Sequence, residues 1–474
     1  MIMGESELER IDVENRAESM ESRFSLYLFP LRLIAGLVTE VTDFSMGGDI
    51  TVSAGAAIDL RRDNLVSKVI LPLSRKQMDS HPLKIMVFMP SSGEAGMDGT
   101  TADAINIAKG FAEASIPSIF IFNGASDVFQ RFEETGVDVR CMDMPVSGLK
   151  QHFNPIYRRK YSRHLSDFIS REKIDVIHLG HGGPFILNYL KSSRVLKVCV
   201  QQGATPEFKP IGLFDSGFTL NPKKLLKYWY RKYVRLNYKR ADLVVCIGVA
   251  AREAALRTFG IQSEKTAVVR PGITGRLAES LKGEIRTELG IKPDEKVVLT
   301  VGRITKAKGV EDLGVVAKIL ADRGKKYRFV FVGRARNEEY GNRIKDMFGK
   351  YVDFIGHRPD VANLYADADL LVHLSHREGS PLVVIEALEY GLPCVAWDLP
   401  GVSEDVKPGV TGYAPAFGDH EGAADAIERI LDDPLQLSSL NYGARTAFVE
   451  FSIDKYADRL LNAYRIRIRD LARN

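Results

Sequence analysis

Residues Leu370 to Gly401 read LLVHLSHREGSPLVVIEALEYGLPCVAWDLPG, and the architecture follows from how this stretch alternates. Leu370 to Leu374 is an apolar run too short for a helix and suited to a strand buried in a parallel sheet. Ser380 is a good N-cap and Pro381 fits the first helical position. A helix is therefore expected from there to about Tyr390, where Gly391 stops it. Cys394 to Trp397 is the next buried strand. The start of the helix offers unpaired N–H groups and the positive end of a dipole, which suits a phosphate. Glu378 lies just before that start and Glu386 about two turns in, so both border one ligand. From these residues alone, an ordinary strand–helix–strand unit with solvated glutamates is the competing reading.

A second stretch, VVLTVGRITKAKGVEDL from Val297 to Leu313, weighs against it. An apolar strand ends at Val301, and Gly302 permits close approach of backbone to a ligand. Arg303 and Lys308 follow, ahead of Gly309. Two cations from one loop suit a diphosphate, arginine binding it bidentately and lysine as a point charge. A solvated loop with surface charges is the bland alternative.

The two motifs together resemble the retaining glycosyltransferases of the family 4 type (glycosyl transferases group 1), whose fold is GT-B. Glu378, Gly379, Pro381, Glu386, Ala387, Gly391 and Pro393 match one family motif, and Gly302, Arg303, Lys308 and Gly309 the other. The resemblance runs over roughly residues 84 to 470. It implies an α/β protein with two doubly wound Rossmann-like domains facing each other across a cleft. It further implies a UDP- or GDP-linked sugar donor as substrate, with no cofactor. Arg303, Lys308 and Glu378 become the catalytic candidates. Gly96, Gly99, Gly302, Gly379, Ser380, Pro381, Leu382 and Glu386 become the donor-binding ones, with His357 and Arg358 against the base. Glu404 matches a further family glutamate.

Upstream, the chain alternates strands and helices from Lys84. Ile85 to Pro90 reads as a strand, Ala102 to Ala114 as a helix and Ser118 to Gly124 as a strand. The loop SSGEAGMDGTT joins the first two, where an open α/β sheet binds anions. Its glycines, Gly93, Gly96 and Gly99, do not have the dinucleotide-fingerprint spacing. Lys173 to Gly183 gives a strand ending in His178 and His181, and Lys197 to Thr205 one ending in Gln201, Gln202 and Gly203. By the resemblance, His181 and Gln202 stand on the acceptor side. Gln202 occupies a place where the family usually has histidine, and an amide donates a hydrogen bond but carries no proton or charge. The expected organisation is a 1–80 extension of unassigned role, an acceptor-side domain over 81–272, a nucleotide-sugar domain over 273–450, and a final helix in 451–474 crossing back.

Composition sets the outer limits. The chain has 474 residues, a net charge of +4 and 45% hydrophobic residues, as a globular protein of more than one domain would. That charge is too small to argue for nucleic acid. It is unevenly spread, however, since Lys223 to Arg240 holds eight basic residues and no acidic one. Leu225, Trp229, Tyr233 and Leu236 share one helical face there, opposite Lys224, Lys227, Arg231 and Arg235. Such a helix suits either a domain core with a solvated basic face or peripheral contact with an anionic membrane. The four cysteines, Cys141, Cys199, Cys246 and Cys394, lie in or beside apolar runs and read as reduced core residues. With no basic leader at the start, the expected location is the cytoplasm, peripheral at the inner membrane face if the basic helix binds lipid. No Asp-x-Asp pair stands where a metal would bridge a diphosphate, so metal independence is expected. The expected partners are a nucleotide-sugar donor and a glycan or lipid-linked acceptor. A GT-B epimerase and a non-catalytic nucleotide-sugar-binding protein remain the alternatives. A sugar phosphorylase would need a pyridoxal-phosphate lysine context, which is not found.

Overall fold

The computed structural model describes residues 82–89, 99–122, 127–142, 155–180, 184–190, 195–202, 232, 234–274 and 283–473. The 1–80 extension, Gly96, His181 and most of Lys223–Arg240 lie outside the described residues.

The first half is one parallel sheet with helices on both faces. Its elements are β1 (Ile85–Met89), α1 (Gly99–Glu113), β2 (Ser118–Phe122), α2 (Asp127–Glu133), β3 (Asp138–Cys141), α3 (Pro155–Glu172) and β4 (Val176–Leu179). They continue with β5 (Leu196–Gln201), β6 (Leu243–Cys246), α4 (Val249–Ala254) and β7 (Thr266–Val268). The strand order is β3-β2-β1-β4-β5-β6-β7. Every residue of β1, β4 and β6 is buried, which is why these runs, His178 of β4 apart, are apolar throughout rather than alternating. Cys199, Cys246 and Cys394 are buried and free. Cys141 departs from the core expectation: β3 is the edge strand, and its last residue is exposed.

The second half repeats the plan with α5 (Glu284–Glu288), β8 (Lys296–Val301), α6 (Val310–Asp322), β9 (Tyr327–Val332), α7 (Glu338–Phe348) and β10 (Val352–Gly356). Then come α8 (Val361–Asp367), β11 (Leu370–His373), α9 (Leu382–Glu389), β12 (Cys394–Ala396), β13 (Gly412–Tyr413), α10 (His420–Leu431) and α11 (Pro434–Phe448). This parallel sheet has the order β10-β9-β8-β11-β12-β13. The strand order reverses between β8 and β11, so the two sequence motifs sit on neighbouring strands. Their following loops flank the crevice in which such sheets bind ligands.

The last helix, α12 (Ile453–Arg473), leaves the second half and packs on the first. Tyr456, Ala457, Leu460 and Tyr464 recur at helical spacing and join the core formed by α1, β1 and β2. Gly110 of α1 admits this close approach, since a Cβ there would lie 3.1 Å from the Ile453 carbonyl oxygen. Tyr464 Oη also lies 2.6 Å from His178 Nδ1. His178 is thus a buried strand residue rather than a group at the strand end. Burial alone pushes its pKa down to about 4, so it stays neutral at pH 7.

Two helix starts differ from expectation. α1 begins at Gly99, ahead of Ala102. In α9 the N-cap is Pro381, extended at φ −75° and ψ 111°, so Ser380 precedes the cap and its hydroxyl makes no capping bond. The stop at Gly391 has φ +71°, the left-handed conformation that ends helices.

Candidate active site

The loop after β8 is built for close packing. Gly309 has φ +62°, and a Cβ there would run into the Leu374 carbonyl oxygen of the neighbouring loop. Gly333, after β9, has φ +146°, and a Cβ would strike the Gly302 carbonyl. The loop after β11 is tied to the same place. The Ala307 carbonyl accepts from the His376 N–H at 3.0 Å and from Ser375 Oγ at 3.0 Å. His376 Nε2 and His420 Nε2 lie 2.6 and 2.7 Å from the two carboxylate oxygens of Asp312, at the start of α6.

Within this frame Lys308 Nζ donates to Glu378 Oε1 at 2.6 Å, and His373 Nε2 lies 3.0 Å from the same oxygen. Burial alone would raise the Glu378 pKa, but His373 and Lys308 outweigh it and hold the carboxyl at about 2. Glu378 is therefore a carboxylate at neutral pH. Lys308 has two further N–H donors beyond this bond. Arg303, at the end of β8, is exposed and has no ion-pair partner among the described residues.

Gly379, Ser380, Pro381 and Leu382 form the turn into α9. Ser380 is buried, and its Oγ has no hydrogen-bond partner. Two turns on, Glu386 Oε2 accepts from Tyr365 Oη at 2.8 Å, and the Tyr365 ring stacks on Tyr390 at 5.6 Å. His357 is exposed at the end of β10. Arg358 is committed elsewhere: it grips Glu288 at 2.5 and 2.9 Å and Asp360 at 2.7 Å.

The first half meets this turn at Gly248. A Cβ on Gly248, at the start of α4, would lie 2.5 Å from the Gly379 carbonyl oxygen, and one on Gly401 would lie 2.9 Å from it. Glu404 accepts from the Val249 N–H at 2.9 Å, so a carboxylate of the second half caps a helix of the first. Arg270 pairs with the adjacent Asp405. Gly99 opens α1, and Gln202 follows β5. Gln202 Nε2 donates at 3.1 Å to Asp103, which also accepts from Tyr456 Oη of α12 at 2.9 Å. Burial raises the Asp103 pKa to about 6 against both hydrogen bonds.

The structure thus brings Gly302, Lys308, Glu378, Gly379, Ser380, Pro381 and Leu382 to one crevice, with Arg303 at its strand end and Glu386 on the helix behind. His357 stands one strand beyond β9, and Gln202 belongs to the first half. The partners His373, Asp312, Tyr365 and Asp103 were not singled out from sequence. His373 lay inside the stretch quoted first, five positions before Glu378. Among the described residues no helix is long and apolar enough to cross a membrane.

Comparison with known proteins agrees with this geometry. The family "Glycosyl transferases group 1" matches residues 282–447, and "Glycosyltransferase Family 4" matches residues 97–274. The N-acetyl-alpha-D-glucosaminyl L-malate synthase of Bacillus anthracis is 22% identical over 80% of this chain and 96% of its own length. The UDP-Gal:alpha-D-GlcNAc-diphosphoundecaprenol alpha-1,3-galactosyltransferase of Escherichia coli is 25% identical over 63% of this chain and 77% of its own. Among solved structures, a Rickettsia africae glycosyltransferase superposes with a TM-score of 0.65 at 18% identity, covering 82% of this chain and 99% of that one. Anabaena Alr3699/HepE, crystallised with UDP and glucose, superposes with a TM-score of 0.62 at 21% identity, covering 80% and 98%.

Proposed function

Since the chain belongs to the group 1, family 4 glycosyltransferases, we propose that it transfers a sugar from a UDP- or GDP-linked donor to a glycan or lipid-linked acceptor, with retention at the anomeric carbon. The observation that carries this is the meeting of Lys308 with Glu378, just ahead of the turn into α9, at the switch point between β8 and β11, with Arg303 following the end of β8. Charge grows on the diphosphate as the sugar leaves, and fixed cations with helix N–H groups stabilise it there more than in the ground state. Arg303 and Lys308 take the phosphate oxygens, which leaves the reaction independent of metal. The Leu382 N–H and the unpartnered Ser380 hydroxyl complete the cradle.

Glu378 then faces the donor sugar hydroxyls as an ionised acceptor, with Lys308 bridging it to the phosphate. Glu386, oriented by Tyr365, accepts from the ribose, and His357 lies against the base. Arg358 steadies that loop through Glu288. The acceptor hydroxyl oxygen bonds to the anomeric carbon on the face from which the phosphate departs. The carbon–phosphate-oxygen bond breaks, and the departing oxygen takes the acceptor's proton. No protein base is needed for this step, so glutamine at position 202 is compatible with turnover. The UDP in the Anabaena complex supports a uridine donor, and the diphosphoundecaprenol in the Escherichia coli relative's name supports a lipid-linked acceptor.

The test is turnover of UDP- and GDP-sugars by the pure protein with glycan and lipid-linked acceptors, the product's anomeric configuration being read by proton NMR. A retained linkage is expected. An inverted linkage would overturn the mechanism, and Arg303→Ala turning over at the wild-type rate would overturn the diphosphate assignment.

A further inference from the structure

The loops at the carboxyl edge of the second sheet carry more positive charge than the donor site uses. Arg303, Lys306 and Lys308 follow β8, Arg334 and Arg336 follow β9, and Arg377 follows β11; the one carboxylate in these three loops is Glu378. Because β8, β9 and β11 are parallel, all three loops stand on the side of the sheet where the crevice lies. Lys308 meets Glu378, and Arg303 and Lys308 together match the donor diphosphate. Lys306, Arg334, Arg336 and Arg377 are exposed and have no ion-pair partner among the described residues. A cluster of unpaired cations beside a crevice draws anions to it.

Backbone pairing sets Arg334 and Arg336 beside Arg303. The Ile304 N–H donates to the Arg334 carbonyl at 3.0 Å, and Ile304 and Ala335 form a parallel bridge that prolongs β8 and β9. Paired residues of two extended segments share a face, and their chain neighbours take the other. Ile304 is buried, and Ala335 packs against the same core. Arg303 and Arg334 therefore share the opposite face. Arg336 is one step further on, beside Thr305, which is extended at φ −148° and ψ 152°. All three arginines are exposed, as that alternation requires. Glu338 and Glu339, the nearest acids along the chain, belong to the first turn of α7, where they complement the helix N-terminus. No ion pair joins either of them to Arg334 or Arg336 among the described residues.

We propose that Arg334 and Arg336 bind an anionic group, a phosphate or a carboxylate, carried by the acceptor. The assignment rests on the transferase reading above. The donor does not supply this anion. Its diphosphate is taken by Arg303 and Lys308, and Glu378, ionised beside the donor sugar, repels a second negative charge there. The acceptor oxygen reaches the anomeric carbon from the face that the phosphate leaves, so the acceptor lies along the diphosphate, next to Arg303. Arg334 is the adjoining cation on that face, and the planar fork of an arginine suits either oxyanion. A phosphate that links a glycan to a lipid and a uronic-acid residue within a glycan present the same chemistry to it.

The experiment is calorimetry on the full chain saturated with UDP or GDP, whichever raises its melting temperature, and titrated with methyl phosphate, glucuronate and neutral glucose. An anion binds and glucose does not; tighter methyl phosphate points to a phosphate-linked acceptor, tighter glucuronate to an acidic glycan. Arg334→Gln/Arg336→Gln lowers the anion's affinity by about tenfold or more. That variant keeps the wild-type melting temperature, because both side chains are exposed and unpaired among the described residues. Lys326→Gln/Lys350→Gln removes the same charge at the amino ends of β9 and β10 and binds the anion like the wild type. Four results would overturn the proposal: no anion bound by the nucleotide-loaded protein, glucose bound as tightly as glucuronate, wild-type affinity in the arginine variant, or displacement of the nucleotide by the anion. If neither UDP nor GDP raises the melting temperature, the transferase reading itself fails, and this proposal with it.

Discussion

Lys308→Met keeps an apolar stem of similar length and removes the ammonium that meets Glu378 at 2.6 Å. The Glu378 side chain is only 12% exposed, so its charge is poorly screened. Its carboxyl is held at about 2 rather than 4.5, a drop worth about 3 kcal/mol of stability at neutral pH. His373, at 3.0 Å, shares that effect, which leaves roughly 1–2 kcal/mol to Lys308. Because the folded pKa lies below the unfolded one, this contribution is fully present above pH 4.5 and is lost as pH falls toward 2. Urea unfolding of both proteins from pH 7 to pH 2.5 should therefore show a gap of roughly 1–2 kcal/mol that closes below pH 4.5. In the same variant, loss of a cation from the departing diphosphate should lower kcat by about a hundredfold or more. A stability gap that stays constant down to pH 2.5 would refute the electrostatic account of the pair. A wild-type kcat would remove Lys308 from the chemistry.

Arg303→Ala should leave the melting temperature within a degree or two, since the side chain is exposed and unpaired among the described residues, yet lower kcat by about a hundredfold; calorimetry and a transfer assay check both. Gly309→Ala should cost about 2 kcal/mol or more, because φ is +62° and the new methyl meets the Leu374 carbonyl, and a chemical melt reads this directly. Asp103, whose folded pKa is raised to about 6, should erode stability by about 3 kcal/mol as pH rises from 3.8 through 6. That slope should disappear in Asp103→Asn, and melts at pH 4 and 7 in both proteins test it.

The second sheet was readable because its two motifs put apolar strands, glycines and charges in one order, and the structure sets their strands side by side. The start of α9 was read one residue early. A proline at the helix start suggested the first helical position, but Pro381 is extended and leaves the Ser380 hydroxyl unpartnered. Cys141 resembled its buried counterparts because local hydropathy does not reveal which strand is the edge. His178 and Tyr464 meet across 286 positions, and Lys308 and Glu378 across 70, separations that no periodicity encodes. The same holds for Gln202, whose anchor Asp103 comes from α1 and is itself held by α12.

The central claim is that the crevice between β8 and β11 binds a nucleotide diphosphate sugar. A thermal-shift and calorimetric titration with UDP- and GDP-sugars, on the wild type and on Glu386→Ala and Lys308→Ala, tests it most directly. One donor class should raise the wild-type melting temperature in a concentration-dependent way, with the rise lost in both variants. No shift with any nucleotide sugar, or an equal shift in all three proteins, would contradict the account.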